Sequence, residues 1–142
     1  MSTHIVKKTI KIHATPTEVW DALTNPEKTK EYYFNCKVHS TWKVGSKITF
    51  TWRMFLIIKI ELEGEILAVE EAQLLQYSLH NASDNSGTSS TITYKLSYDD
   101  HDTTLSISDD VWTGKWAEKR YKKSVKWWDK ILSGMKQFIE EE

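Results

Sequence analysis

The run TPTEVWDALTNPEKTK at residues 15–30 sets the architecture, because it signals two short helices in immediate succession. Thr15, Pro16, Thr17 and Glu18 read as a capping box with proline at the first helical position, where its missing N–H breaks no hydrogen bond. Val19, Trp20 and Leu23 supply the apolar stripe of that helix. Asn25-Pro26 repeats the cap-and-proline signal and starts a second short helix through Lys30, which ends at Tyr32-Tyr33-Phe34. On the N-terminal side, HIVKKTIKIH (residues 4–13) places apolar side chains at Val6, Ile10 and Ile12, the period of a half-buried strand, with Lys8 as an irregularity.

Downstream the period is again that of strands. Trp42-Lys43-Val44-Gly45-Ser46 marks a turn, after which Ile48, Phe50, Trp52 and Met54 alternate. The next run sets Ile58, Ile60, Leu62, Gly64, Ile66 and Ala68 on one face and Lys59, Glu61, Glu63 and Glu65 on the other, as in an antiparallel strand with one wet side. Leu75, Tyr77 and Leu79 continue the sheet, residues 81–90 read as a polar loop, and Ile92, Tyr94, Leu96 and Tyr98 alternate once more. Asp99-Asp100-His101-Asp102 closes a hairpin onto Leu105 and Ile107 and lacks the spacing of a calcium loop. From about Lys115 to Glu140 the period becomes helical: Ala117, Tyr121, Val125, Trp128, Leu132, Met135 and Ile139 share one side, and Lys115, Lys119, Lys122 and Lys126 gather opposite.

A strand, two short helices, about six further antiparallel strands and one long amphipathic helix make one α+β domain over residues 1–142, a curved sheet whose apolar face the last helix covers. At 142 residues the chain is long enough for one independent core. Its 19 Lys+Arg against 20 Asp+Glu leave a formal charge of -1, which argues against nucleic acid or an anionic membrane as partner. The start, MSTHIVKK, has no apolar stretch of a signal peptide, and Met54–Ile58 is far too short to span a bilayer, so a cytoplasmic protein is expected. Cys36 is the single cysteine; with His39 it forms half a zinc motif that no second pair completes, and no metal or other cofactor is expected.

The segments ATPTEVWDALTNPEKTKEYYF, VGSKITF, LEGEILAVEE, TTLSISDD and WWDKILSGMKQFIEE together resemble the homologues of the activator of heat-shock-protein-90 ATPase, within the START-like, polyketide cyclase superfamily. The resemblance implies the helix-grip fold, six to seven strands wrapped on a C-terminal helix. It also implies three functions: a pocket for a small hydrophobic ligand, regulation of a chaperone ATPase through a protein partner, or cyclase- or hydrolase-like catalysis. Chaperone activators of this kind carry a separate N-terminal domain, whereas this sequence opens at its first strand, so the co-chaperone role is expected to transfer poorly.

The inward register decides among these. It is almost wholly apolar and aromatic, without the titratable pair or activated nucleophile that acid–base or covalent catalysis requires, so a non-enzymatic binder is expected. The pocket is placed among Trp52, Met54, Tyr77, Tyr94, Trp112, Trp116, Tyr121, Val125 and Trp128, partly filled by their rings and open near the start of the last helix. The hydroxyls of Tyr77, Tyr94 and Tyr121 could orient a polar ligand end, although buried tyrosines ordinarily bond within the protein. Asp109 continues the register of Leu105 and Ile107 and is expected at the pocket rim, where a carboxylate could act as a base but is more commonly solvated or a cap. His80 and His101 read as surface residues, and the Lys115–Lys126 stripe, with Arg120 and Lys123 beside it, as a solvated helix face.

Overall fold

The computed structural model describes residues 4–82, 89–111 and 117–141, leaving aside the side chains of Met54 and Asn81. Trp112, Lys115 and Trp116, and the Met54 side chain, therefore lie outside the described residues. The element order is β1 (Ile5–Ile12), α1 (Pro16–Thr24), α2 (Pro26–Thr29), β2 (Lys37–His39), β3 (Lys47–Met54), β4 (Ile57–Glu70), β5 (Leu74–Asn81), β6 (Ser90–Asp99), β7 (Asp102–Val111) and α3 (Ala117–Glu140). Among the described residues these strands form one antiparallel sheet in the order β1-β7-β6-β5-β4-β3-β2.

Local chemistry accounts for the joints. Thr15 Oγ1 accepts from the Glu18 amide at 3.2 Å while Glu18 Oε1 accepts from the Thr15 amide at 3.2 Å, the reciprocal capping box that starts α1. Asn25 ends α1 and caps α2 through a bond from the Glu27 amide. Asp100 and His101 both adopt positive φ, at 50° and 68°, giving the two-residue turn whose twist matches the β6–β7 pair. In β7 every second residue is buried, from Thr103 to Val111, so one face meets the helix.

The α3 helix lies across that face. Its buried residues are Ala117, Ser124, Trp128, Ile131, Leu132, Met135 and Ile139, whereas Tyr121 and Val125 of the expected stripe are only half-buried. The far end of α3 is tied down twice: the His13 amide donates to Glu140 Oε2 at 2.8 Å, and Lys136 Nζ donates to the Lys11 carbonyl at 2.6 Å. Gly134 permits close approach to the α2 segment, since a Cβ there would stand 3.3 Å from Tyr32 Cβ.

The long strand β4 departs from the simple alternation. Phe50 pairs with Leu62 but Thr51 pairs with Ile60, so Glu61 is an extra residue, a bulge, and a second shift falls between Ile66 and Ala68. Inserting one residue flips the side chains beyond it to the other face. Ile58 and Ile60, expected to point inward with Leu62, are instead 66% and 42% exposed, and Lys59 pairs with Trp52. The β3–β4 hairpin carries Phe55 and Leu56 exposed at its tip.

Candidate functional site

Beneath α3 the sheet carries a train of aromatic rings. Tyr33 stacks obliquely on Phe50 at 4.8 Å, Phe50 meets Tyr77 at 6.2 Å, Tyr77 meets Tyr94 at 6.3 Å, and Trp128 stands edge-on to Tyr94 at 5.9 Å and to Tyr33 at 6.4 Å. These centroid distances are those of well-packed aromatic pairs, so the rings fill most of the space between sheet and helix. Burial pushes the hydroxyls of Tyr33, Tyr77 and Tyr94 above their ordinary value, which keeps them neutral.

Where the helix cover ends, a groove of about 450 Å³ opens, lined by Tyr33, Phe34, Cys36, Trp52, Glu61, Leu62 and Trp127. Four separate stretches of chain build it. Phe34 and Asn35 take left-handed φ of 50° and 62°, a conformation uncommon outside glycine, and this turn holds the Phe34 ring out beside Trp127 at 6.3 Å. The bulge brings Glu61 next to Leu62 on the opposite wall, with Lys59 Nζ 3.4 Å from the Glu61 carboxylate. Cys36 is buried, and that burial raises its thiol to about 11, so it is not a thiolate nucleophile at neutral pH.

Behind the groove lies a chamber of about 10 Å³ whose lining includes Ser90, Asp109, Arg120, Ser124 and Trp128. Tyr33, Leu62 and Trp127 line both spaces. Asp109, expected at a rim, is 3% exposed: β7 carries it under α3, where its Oδ2 accepts from the Trp128 indole at 2.8 Å. Its Oδ1 has no hydrogen-bond partner among the described residues. Burial raises its pKa, and the Trp128 hydrogen bond, then the neighbouring Ser90 and Ser124 hydroxyls and the Arg120 charge, oppose the rise. Arg120 is itself held in place, its Nε donating to Ser90 Oγ at 3.0 Å.

Of the expected pocket residues, Trp52 lines the groove, Asp109 and Trp128 line the chamber, and Tyr77 and Tyr94 belong to the packed ring train. Tyr121 lies apart, its ring 5.6 Å from His4. Val125 is half-buried beside the core, and Met54, Trp112 and Trp116 lie outside the described residues. The residues that sequence reasoning missed are Tyr33, Phe34, Cys36, Glu61, Leu62 and Trp127 as groove walls. Two signals were present, the Tyr32-Tyr33-Phe34 cluster where a helix ends and the Trp127-Trp128 pair, of which only one ring can face the sheet. No three His, Cys, Asp or Glu side chains among the described residues gather as metal ligands.

A curved antiparallel sheet gripping one long helix, with two short helices after the first strand, is the helix-grip fold. The chain belongs to the family described as Activator of Hsp90 ATPase homolog 1-like protein, whose model matches residues 13–140. Solved structures of the same fold include a Mesorhizobium loti protein with TM-score 0.79 and 22% identity, covering 96% of this chain and 97% of its own. A Cytophaga hutchinsonii protein gives 0.76 and 28%, covering 99% and 97%. The Aha1 dimer from Colwellia psychrerythraea gives 0.72 and 16%, covering 96% of each chain. No curated protein matches the sequence at a significant level.

Proposed function

We propose that this chain is a non-enzymatic binding module that takes a small hydrophobic ligand, lipid-like or aromatic, in the groove between Phe34, Trp52 and Trp127. The observation that carries this reading is the groove itself. At about 450 Å³ it falls in the size range of ligand pockets, its walls are mainly aromatic and aliphatic, and it runs inward to a few polar groups. Against catalysis stand the neutral Cys36 thiol and tyrosine hydroxyls; of the two carboxylates that line groove and chamber, Asp109 is engaged by Trp128 and Glu61 lies 3.4 Å from Lys59 Nζ.

Long-chain fatty acids, flavonoid-like aromatics and sterols titrated against tryptophan fluorescence test it, because Trp52 and Trp127 report on the groove directly. One class should bind saturably at micromolar strength and raise the melting temperature, by about 2.7 kcal/mol of stability at a hundredfold excess over Kd. Trp127→Ala should lose that response. Absence of saturable change and of any melting shift with all three classes would overturn the reading.

A second reading, a regulator of a chaperone ATPase acting through a protein contact, draws on one observation besides the family description. Phe55 and Leu56 are 90% and 91% exposed at the hairpin tip, with Ile57 and Ile58 behind them, an apolar surface of the kind used in protein contacts. Stimulation of a purified chaperone's ATPase by the parent, lost in a Phe55→Ser, Leu56→Ser variant, would favour this reading over the first.

A further inference from the structure

Taking the groove as the binding site, we infer that its ligand is a neutral planar molecule bearing a hydroxyl, which enters the chamber at Asp109 and donates to Oδ1 while the ring system lies between Tyr33, Leu62 and Trp127. This rests on the reading above and narrows it from any apolar ligand to one with a hydrogen-bond donor at its buried end.

The first support is the state of Asp109. It is 3% exposed, lines the chamber, and offers Oδ1 with no partner among the described residues, although Oδ2 is bonded to Trp128. A buried carboxylate oxygen without a donor is costly, so its persistence beneath the helix suits a site that a donor fills. Size is the second support. A chamber of about 10 Å³ is of the order of one water-sized atom, which suits a hydroxyl better than the larger carboxylate or phosphate head.

Charge selects in the same direction. The Arg120 guanidinium already opposes the Asp109 charge, so an ammonium group would meet a nearby cation and an anionic head would meet the carboxylate. A neutral donor avoids both. Access and shape complete the case: Tyr33, Leu62 and Trp127 line groove and chamber alike, Leu62 and Trp127 are only half-buried, and the flat rings favour a flat ligand. In the unliganded protein a single water can occupy the same place, donating to Oδ1, and the ligand hydroxyl takes over its bond.

Naphthalene, naphthol, the methyl ether of naphthol and naphthoate, titrated calorimetrically into the full chain, separate the possibilities. Naphthol should bind about tenfold or more tightly than the other three, the range for a hydrogen bond to a charged acceptor. Asp109→Asn keeps an acceptor for Trp128 and turns an amide N–H₂ toward the chamber, so the advantage of naphthol should shrink to within about threefold while naphthalene binds as before. Equal binding of naphthol, its ether and naphthalene by the parent would overturn the inference and leave the groove reading standing, with a water as the chamber's only occupant. Tightest binding of naphthoate, or a naphthol preference that survives Asp109→Asn, would also overturn it. Binding of none of the four would overturn the inference, and the groove reading would then stand or fall on the fatty-acid, flavonoid and sterol titrations. The parent's discrimination between naphthol and its ether decides the matter even if Asp109→Asn does not fold.

Discussion

The two halves of α3 meet the same sheet in different ways. From Ile131 onward the helix buries Ile131, Leu132, Met135 and Ile139, and its end is tied to β1 and the residue after it through Lys136, Glu140, Lys11 and His13. Before Trp128, the side chains Arg120, Tyr121, Val125 and Trp127 are half-buried, Ser124 is buried beside Asp109, and the chamber and groove lie alongside. Flexible aliphatic chains can adjust to fill a seam, whereas rigid rings and fixed polar groups leave gaps between them. Closure is therefore the work of one half of the helix, and the space for a ligand belongs to the other.

Trp128 stands at the boundary, and its replacement should show the largest effect. Trp128→Ala removes a ring that touches Tyr33 and Tyr94 and strands the Asp109 carboxylate, so it should cost about 3–5 kcal/mol in chemical denaturation. Its neighbour Trp127→Ala, a half-buried groove wall, should cost less than about half as much while abolishing the ligand-induced melting shift. Equal losses of stability from the two would mean that the groove wall is core and that the helix halves are not distinct.

A smaller effect sharpens the closed half through pH. Glu140 is held below its ordinary value of 4.5 first by the His13 amide and then by Lys136. A depressed carboxylate contributes stability above its unfolded pKa, and that contribution fades as pH falls through the folded one. Glu140→Gln should therefore cost less than about 1 kcal/mol at neutral pH, as for an exposed charged contact, with the difference from the parent vanishing in acid. Asp109 works with the opposite sign: its raised pKa means that ionisation destabilises the fold, a cost relieved on acidification. Melting curves of Glu140→Gln and Asp109→Asn between neutral pH and the acid limb separate the two contributions, and a Glu140→Gln deficit that grew as pH fell would contradict the tether.

The fold was legible because its signals are local. A capping box, a proline after Asn25, two-residue alternation in β6 and β7 and a helical stripe from Ala117 each depend on a few neighbouring residues, and their order leaves few ways to cover one curved sheet. The sequence by itself also determined that Trp128 faces inward, since the 100° step that buries Leu132 and Met135 buries it too. What only the tertiary structure decided were features that depend on strand partners and on chain segments far apart. The Glu61 bulge is defined by which residue of β3 pairs with which of β4, and no alternation within β4 alone records the slip that turns Ile58 and Ile60 outward. Asp109 reads as a strand-end carboxylate until α3 is laid over it, when the indole of Trp128 comes within 2.8 Å and burial becomes tolerable. The groove unites residues 33–36, 52, 61–62 and 127, and packing alone brings those segments to one place.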